Sequence, residues 1–303
     1  MKNKWFTAFL ISSALLLMLL FPELTLKGTR NGLLLWYQNF LPAVFPFMIL
    51  SGLLTGYLKK GGSVFAVAAG FLNGYPCGAK SAADLRQRDL LPENTACYYA
   101  VFCNMSGPMF LATYADLKEE MPVIYLTSIV LLWLFCQLTP RLPFYRHAFS
   151  CRASKQITQT AQTAESSQTA KVLFPSENAA STDNDYLLEC TGIMVKAGIY
   201  IMYFSILMEL LSQPIFSSRL LKSYVPFLEL TTGIACIRSA GFPLPDLERY
   251  FRIFLCVSGG LCTAFQTKEV TYGLNLSLPR YLILKLIHAS AVCTVCYLCF
   301  GGV

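Results

Sequence analysis

Long uncharged stretches alternate with short charged ones along the chain. Residues 5–22, 31–58, 61–79, 94–115, 121–140 and 286–303 contain no Asp, Glu, Lys or Arg, and each window is at least 18 residues long. About 20 apolar residues cross a bilayer's hydrocarbon core in helical form, so windows of this length predict an all-α, polytopic integral membrane protein. Less hydrophobic segments at 190–211, 223–245, 253–267 and 281–303 bring the expectation to about eight apolar segments.

Several of these windows are spoiled in an informative way. Residues 31–58 contain Pro42 and Pro46, which predict a bent or re-entrant piece joined to an interfacial one. The 61–79 window runs into Asn73-Gly74-Tyr75-Pro76-Cys77-Gly78-Ala79-Lys80, and the 94–115 window is interrupted by Asn104-Met105-Ser106-Gly107-Pro108. Broken backbone at membrane depth is tolerated only where protein or a water-filled cavity satisfies its polar groups. The second half contains two similar interruptions, Leu228-Glu229-Leu230-Thr231-Thr232-Gly233 and Ser258-Gly259-Gly260 running on to Gln266. Gly74 and Gly107 are 33 residues apart, and Gly233 and Gly260 are 27 apart, which suggests two related halves. Paired interruptions of this kind point to a binding site at the repeat interface of a transporter.

Between the charged segments, residues 80–93 read as a surface helix with an Asp84–Arg88 pair. No acid occurs between Glu120 and Glu165, while Arg141, Arg146, Arg152 and Lys155 follow the span at 121–140, so the chain beyond it is expected in the cytoplasm. The basic start and uncleaved first span place the N-terminus there too. Within residues 154–171, fourteen of eighteen are Ser, Thr, Gln or Ala, too polar to bury a core. The division is therefore a membrane half at 1–149, a cytoplasmic linker at 150–185 and a second membrane half at 186–303.

Composition agrees: 14% of residues are charged and 55% hydrophobic, too few charges to cover a soluble surface. The net charge of +7 gathers at the ends of apolar segments without a basic, aromatic-rich stripe, so the partner is a lipid bilayer and no nucleic acid is expected. Most of the 12 cysteines lie in apolar runs and read as packing residues. Cys293, Cys296 and Cys299 sit in an uncharged stretch without a loop to wrap a metal, so neither metal nor cofactor is expected. His147 and His288 are the only histidines, and Gly74 to Ser81 misses the phosphate-loop spacing because Ala79 separates Gly78 from Lys80. No enzyme is expected.

The residues with chemical potential are those beside the breaks. Asn73, Asn104, Ser106, Thr231, Thr232 and Gln266 could bind a neutral polar solute, or could satisfy the orphaned backbone groups of the breaks. Lys196, Glu209, Glu229 and Arg238 are ionisable groups within apolar sequence; Glu229 is the candidate for proton or cation coupling, with a structural ion pair as the alternative. Lys80 either ends a re-entrant loop at the cytoplasmic surface or contacts solute. The full candidate pathway comprises Asn73, Gly74, Pro76, Gly78, Lys80, Asn104, Ser106, Gly107, Pro108, Glu229, Thr231, Thr232, Gly233, Gly259, Gly260 and Gln266.

The Asn73–Lys80 motif, the charged segment after it and Phe102-Cys103-Asn104-Met105-Ser106-Gly107-Pro108-Met109-Phe110 together resemble the sporulation integral membrane protein family of the YlbJ type. That family lies within a wider group carrying nucleoside-recognition or Gate domains. Leu228 to Gly233 and the Gly259-Gly260 pair with Gln266 resemble its second-half elements. The resemblance implies a multi-pass cell-membrane protein of the sporulating cell, in the membranes surrounding the developing spore, needed for spore formation and with kinship to transporters. A second copy of the chain or other sporulation membrane proteins would be its partners. Two departures stand out: Cys77 replaces a Met, and Met105 replaces a second Asn, which removes up to two donors and one acceptor. Two functions remain open, a transporter or gate for a small polar solute or ion, and a non-transporting scaffold that organises partners during sporulation.

Overall fold

The computed structural model describes residues 12–57, 68, 70–87, 90–138, 183–211, 227–239, 245–271 and 273–301. The expected linker lies almost wholly outside the described residues, as do Arg88, the basic residues after 140 and most of the 61–69 stretch. The elements are helices joined by turns, and no strand occurs among the described residues.

After a helical stretch at 12–20, α1 (Pro22–Leu35) opens with Pro22 and Glu23, a first turn suited to both residue types. A π-helical turn at Trp36–Phe40 leads without interruption into α2 (Leu41–Tyr57). The prolines therefore do not break this segment as expected. Pro42 falls at the start of α2, immediately after a wide turn in which the Leu41 N–H already reaches back to Trp36 O, so the ordinary ladder is interrupted there in any case. Pro46 lies inside α2, at the cost of one backbone bond that membrane helices tolerate.

The next elements are α3 (Cys77–Gln87), α4 (Glu93–Phe102), a second π-turn at Phe110–Tyr114 and α5 (Met121–Leu138). The other half comprises α6 (Asp183–Leu211), α7 (Leu230–Ser239), α8 (Pro245–Ser258), α9 (Gly260–Val270) and α10 (Leu278–Phe300). Among the described residues, four helical segments are long and apolar enough to cross a membrane: Pro22–Leu50, Met121–Leu138, Cys190–Leu211 and Leu278–Phe300. Leu126, Trp133, Tyr203, Ile283 and Leu298 on three of these helices face outward, as lipid-facing side chains do. By contrast α4, α7 and α9 have 10, 10 and 11 residues, which at ~1.5 Å per residue cannot span the hydrocarbon core alone.

Two interiors form. One joins α4, α5, α7, α8 and α10 around Phe102, Leu111, Ile124, Ile253 and Val292. The other lies where the α1–α2 rod meets α6, around Phe40, Met48, Met194 and Ile201. The rod and α6 approach closely through Gly28 and Gly32, a Gly-x3-Gly pair. A methyl group on Gly28 would lie 2.6 Å from Ile206 Cα, and one on Gly32 would lie 2.7 Å from Met202 Cα. Small residues four apart are the usual means for membrane helices to bring backbones together.

α3 is less exposed than the surface helix expected at 80–93. Cys77, Gly78, Ala79, Ala82, Ala83 and Leu85 are buried. Asp84 pairs with Lys80 at 2.9 Å, one turn before it on the same face.

Candidate functional site

The polar motifs straddle chain breaks that are narrower than the sequence suggested. Helix resumes at Cys77, Leu230 and Gly260, so only Gly74–Pro76, Leu228–Glu229 and Gly259 interrupt it in three of the motifs. The fourth break, at Cys103–Gly107, follows α4. All four meet in the interior.

Gly74 has φ +69°, and a side chain there would place Cβ 2.5 Å from Gly107 N; both the conformation and the approach require glycine. Gly107 in turn lies over Leu72 O, 2.9 Å from the position its Cβ would take. In the second half Gly260, with φ +72°, lies over Phe227 O in the same manner, at 2.8 Å. Further bonds tie the breaks to one another and to α8. Ser106 donates to Cys256 O through both its N–H (3.1 Å) and its hydroxyl (3.0 Å). Tyr75, joined to Pro76 by a cis peptide, donates its hydroxyl to Val257 O at 2.5 Å. Cys262 N–H reaches Leu228 O at 2.9 Å.

Asn104 is fully buried and saturated. Its Oδ1 accepts from Ala79 N–H at 3.3 Å, and its Nδ2 donates to Thr267 Oγ1 at 2.8 Å and to Tyr281 OH at 3.2 Å. Glu229 is also buried and caps α7: its carboxylate accepts from the N–H groups of Thr231 (2.9 Å) and Thr232 (2.7 Å) and from both hydroxyls. An acceptor-only group at a helix N-terminus satisfies orphaned donors and the positive end of the dipole together. Gly233 belongs to that first turn, its N–H reaching Glu229 O. Arg238 lies at the opposite end of α7, its guanidinium 6.0 Å from the Tyr114 ring centre, so it and Glu229 are no pair. Pro108 begins the helical turn before the second π-turn, Gly78 packs against Cys103 O, and Asn73 is buried. Gln266 donates to Cys262 Sγ at 3.3 Å, while its Oε1 is buried with no hydrogen-bond partner among the described residues.

Two residues outside the sequence candidates stand at the centre. Lys285 on α10 is 1% exposed, and its ammonium donates to Asn104 O and to Val257 O. His288, one turn on, bonds Ser128 Oγ on α5 at 2.8 Å. Both lie on the buried stripe Tyr281, Leu284, Lys285, His288, Ala289, Val292 and Cys296, so the signal was a Lys on an otherwise apolar, inward helical face. Cys296 belongs to that stripe while Cys299 is exposed, which places the cysteine run on different faces of α10.

A half-open cavity of about 540 Å³ lies elsewhere, between α1, α6 and α7. Lys27, Asn31, Gln38 and Asn39 contribute from the rod, Ser205 and Glu209 from α6, and Thr232 from α7; Leu34, Met208 and Ala235 give apolar wall. Gln38 and Asn39 belong to the first π-turn, a type of helical irregularity frequent at functional sites. Glu209 accepts from Lys27 at 3.0 Å and from Asn31 at 2.9 Å. Ser205 Oγ is buried and has no hydrogen-bond partner among the described residues. Of the candidate pathway residues Thr232 alone lines the cavity, and its hydroxyl bonds Glu229 at 2.5 Å; Glu209, an ionisable group in apolar sequence, lines it too.

The chain is similar to the sporulation integral membrane protein YlbJ of Bacillus subtilis (strain 168), with 31% identity over 108 residues that cover 30% of this chain and 26% of that protein. No family model matches the chain. No solved structure matches it. The four apolar helices and the likeness to a membrane protein together place the chain in a membrane.

Proposed function

We propose that the protein is a multi-pass membrane protein of endospore formation that binds a small polar solute in the cavity between α1, α6 and α7 and passes it along the crossed breaks. The observation that carries this reading is the cavity itself. Its volume of about 540 Å³ suits a small-molecule site, its walls mix apolar surface with amides and hydroxyls, and its inner edge touches the Glu229 break through Thr232. Discontinuous helices beside such a cavity are the usual location of transporter sites. The sporulation context rests on the partial likeness to YlbJ.

In this reading Asn73, Gly74, Pro76, Gly78, Asn104, Ser106, Gly107, Pro108, Gly233, Gly259 and Gly260 form the frame that holds four breaks together. Thr232 meets the solute, Glu229 and Thr231 lie behind it, Gln266 offers an unused acceptor further in, and Lys80 closes the first loop at the cytoplasmic side. The matching approaches of Gly107 to Leu72 O and Gly260 to Phe227 O support two related, Gate-like halves. The N-terminus and the 150–185 linker lie in the cytoplasm, in keeping with the basic residues that follow the span at 121–140.

The test is a proteoliposome uptake screen across nucleosides, amino acids, dicarboxylates and divalent metals. Wild type is compared with Ala235→Trp, which fills the cavity from an exposed wall position. Uptake of a solute by wild type that falls at least tenfold in the variant, at unchanged melting temperature, supports the reading. Equal uptake by the variant refutes the cavity as the route, and no uptake above protein-free liposomes for any class refutes transport.

A further inference from the structure

Lys285 has unusual company for a buried cation. Its side chain is 1% exposed, and no carboxylate pairs with it among the described residues. Its partners are main-chain oxygens: Asn104 O, two residues past the end of α4, and Val257 O, in the last turn of α8. The Tyr75 ring lies 5.1 Å from the ammonium, and the Tyr75 hydroxyl bonds the same Val257 O.

The last carbonyls of a helix lack intrahelical partners, and the helix dipole adds about half a negative charge there. One such helix end, at Val257 O, and an unwound carbonyl, at Asn104 O, face one point with an aromatic face alongside, which makes a cation-binding site from backbone alone. Where discontinuous membrane helices converge in this way, the oxygens are suited to a bare monovalent cation. Here an ammonium on a four-carbon stem occupies that position.

We propose that Lys285 is a tethered cation filling an alkali-ion site formed by the end of α8 and the break after α4, so the crossing of the breaks needs no free ion to hold it. Removing the side chain back to Cβ leaves Asn104 O, Val257 O and the Tyr75 hydroxyl around a space in which water can complete a sodium shell. An apolar side chain of similar length leaves the oxygens without a cation and without room for one. The ion site is independent of any solute.

The experiment is thermal unfolding of the full chain in detergent, in sodium chloride and in N-methyl-D-glucamine chloride at equal ionic strength. Wild type, Lys285→Ala and Lys285→Met are compared. Wild type should melt at the same temperature in both salts. Lys285→Ala should melt lower in N-methyl-D-glucamine and regain about 5 °C or more in sodium, with a saturable dose response. Lys285→Met should melt lower in both salts with no sodium response. A sodium-specific rise in wild type overturns the proposal, because the site would then not be filled. So does an Ala variant that sodium fails to stabilise or fails to bring to a folded, monodisperse state. A Met variant as stable as wild type overturns it too, because the oxygens would then need no cation.

Discussion

Replacing Asn104 by Ala gives a sharp test of the crossing. The substitution removes an acceptor for Ala79 N–H and two donated bonds, to Thr267 Oγ1 and Tyr281 OH. Those two hydroxyls already bond each other at 3.4 Å and can shorten that bond once the amide is gone, so their loss is largely made good. Ala79 N–H has no such recourse: it lies buried in the first turn of α3, and a stranded donor costs ~1–3 kcal/mol. The space left by the amide adds ~1 kcal/mol in a fully buried position. The sum is about 3 kcal/mol, which lowers the melting temperature by about 6–12 °C for a chain of this size. Asn104→Asp keeps an acceptor for Ala79 but loses the donor, so it should destabilise less than Ala. Scanning fluorimetry of the purified protein in detergent reads both. An Asn104→Ala variant within 2 °C of wild type would refute the view that this side chain ties α3, α9 and α10 together.

Other expectations follow from single contacts. Gly74→Ala should prevent accumulation of folded protein, because positive φ and the approach of Gly107 N both exclude a Cβ; Gly192→Ala, with nothing within 4 Å of its Cβ position, should leave expression and melting temperature unchanged on the same gel-filtration trace. Glu229→Gln replaces a carboxylate that accepts four bonds with an amide that has one acceptor oxygen, and should cost about 2–4 kcal/mol, read as a lower melting temperature. Lys27→Ala breaks an ion pair whose lysine is 62% exposed, and should shift stability by less than about 1 kcal/mol in the same assay. Gly28→Val should separate α1 from α6 and lower the melting temperature by far more than Lys27→Ala does.

Membrane character was legible because a water-facing helix of 18 or more residues needs charged side chains on its outer face, and these windows have none. The breaks were legible at Gly74, Pro76, Gly107 and Gly259 because those residues are poor material for a lipid-facing helix. Their true extent was not. Leu230–Gly233 and Leu261–Gln266 contain nothing that forbids helix, and a polar residue in a first turn looks the same in sequence as one in a loop. Lys285 escaped notice because it borders the uncharged 286–303 window, where a lysine reads as one that snorkels to the interface; only the three-dimensional face it shares with Tyr281 and His288 shows it points inward. Gly28 and Gly32 enclose Arg30 and Asn31, and that polarity hides a close-packing pair. The cavity had no local signature at all, since Asn31 and Glu209, which meet at 2.9 Å, are 178 residues apart.

The cavity account is tested most directly at Cys236, an exposed cysteine on its wall. Proteoliposomes loaded for uptake of the solute identified by the screen would be treated with a charged methanethiosulfonate, with Cys236→Ser as the control for the remaining cysteines. The account predicts that modification stops uptake in wild type and leaves Cys236→Ser untouched. Full modification of Cys236 with uptake undiminished would contradict it.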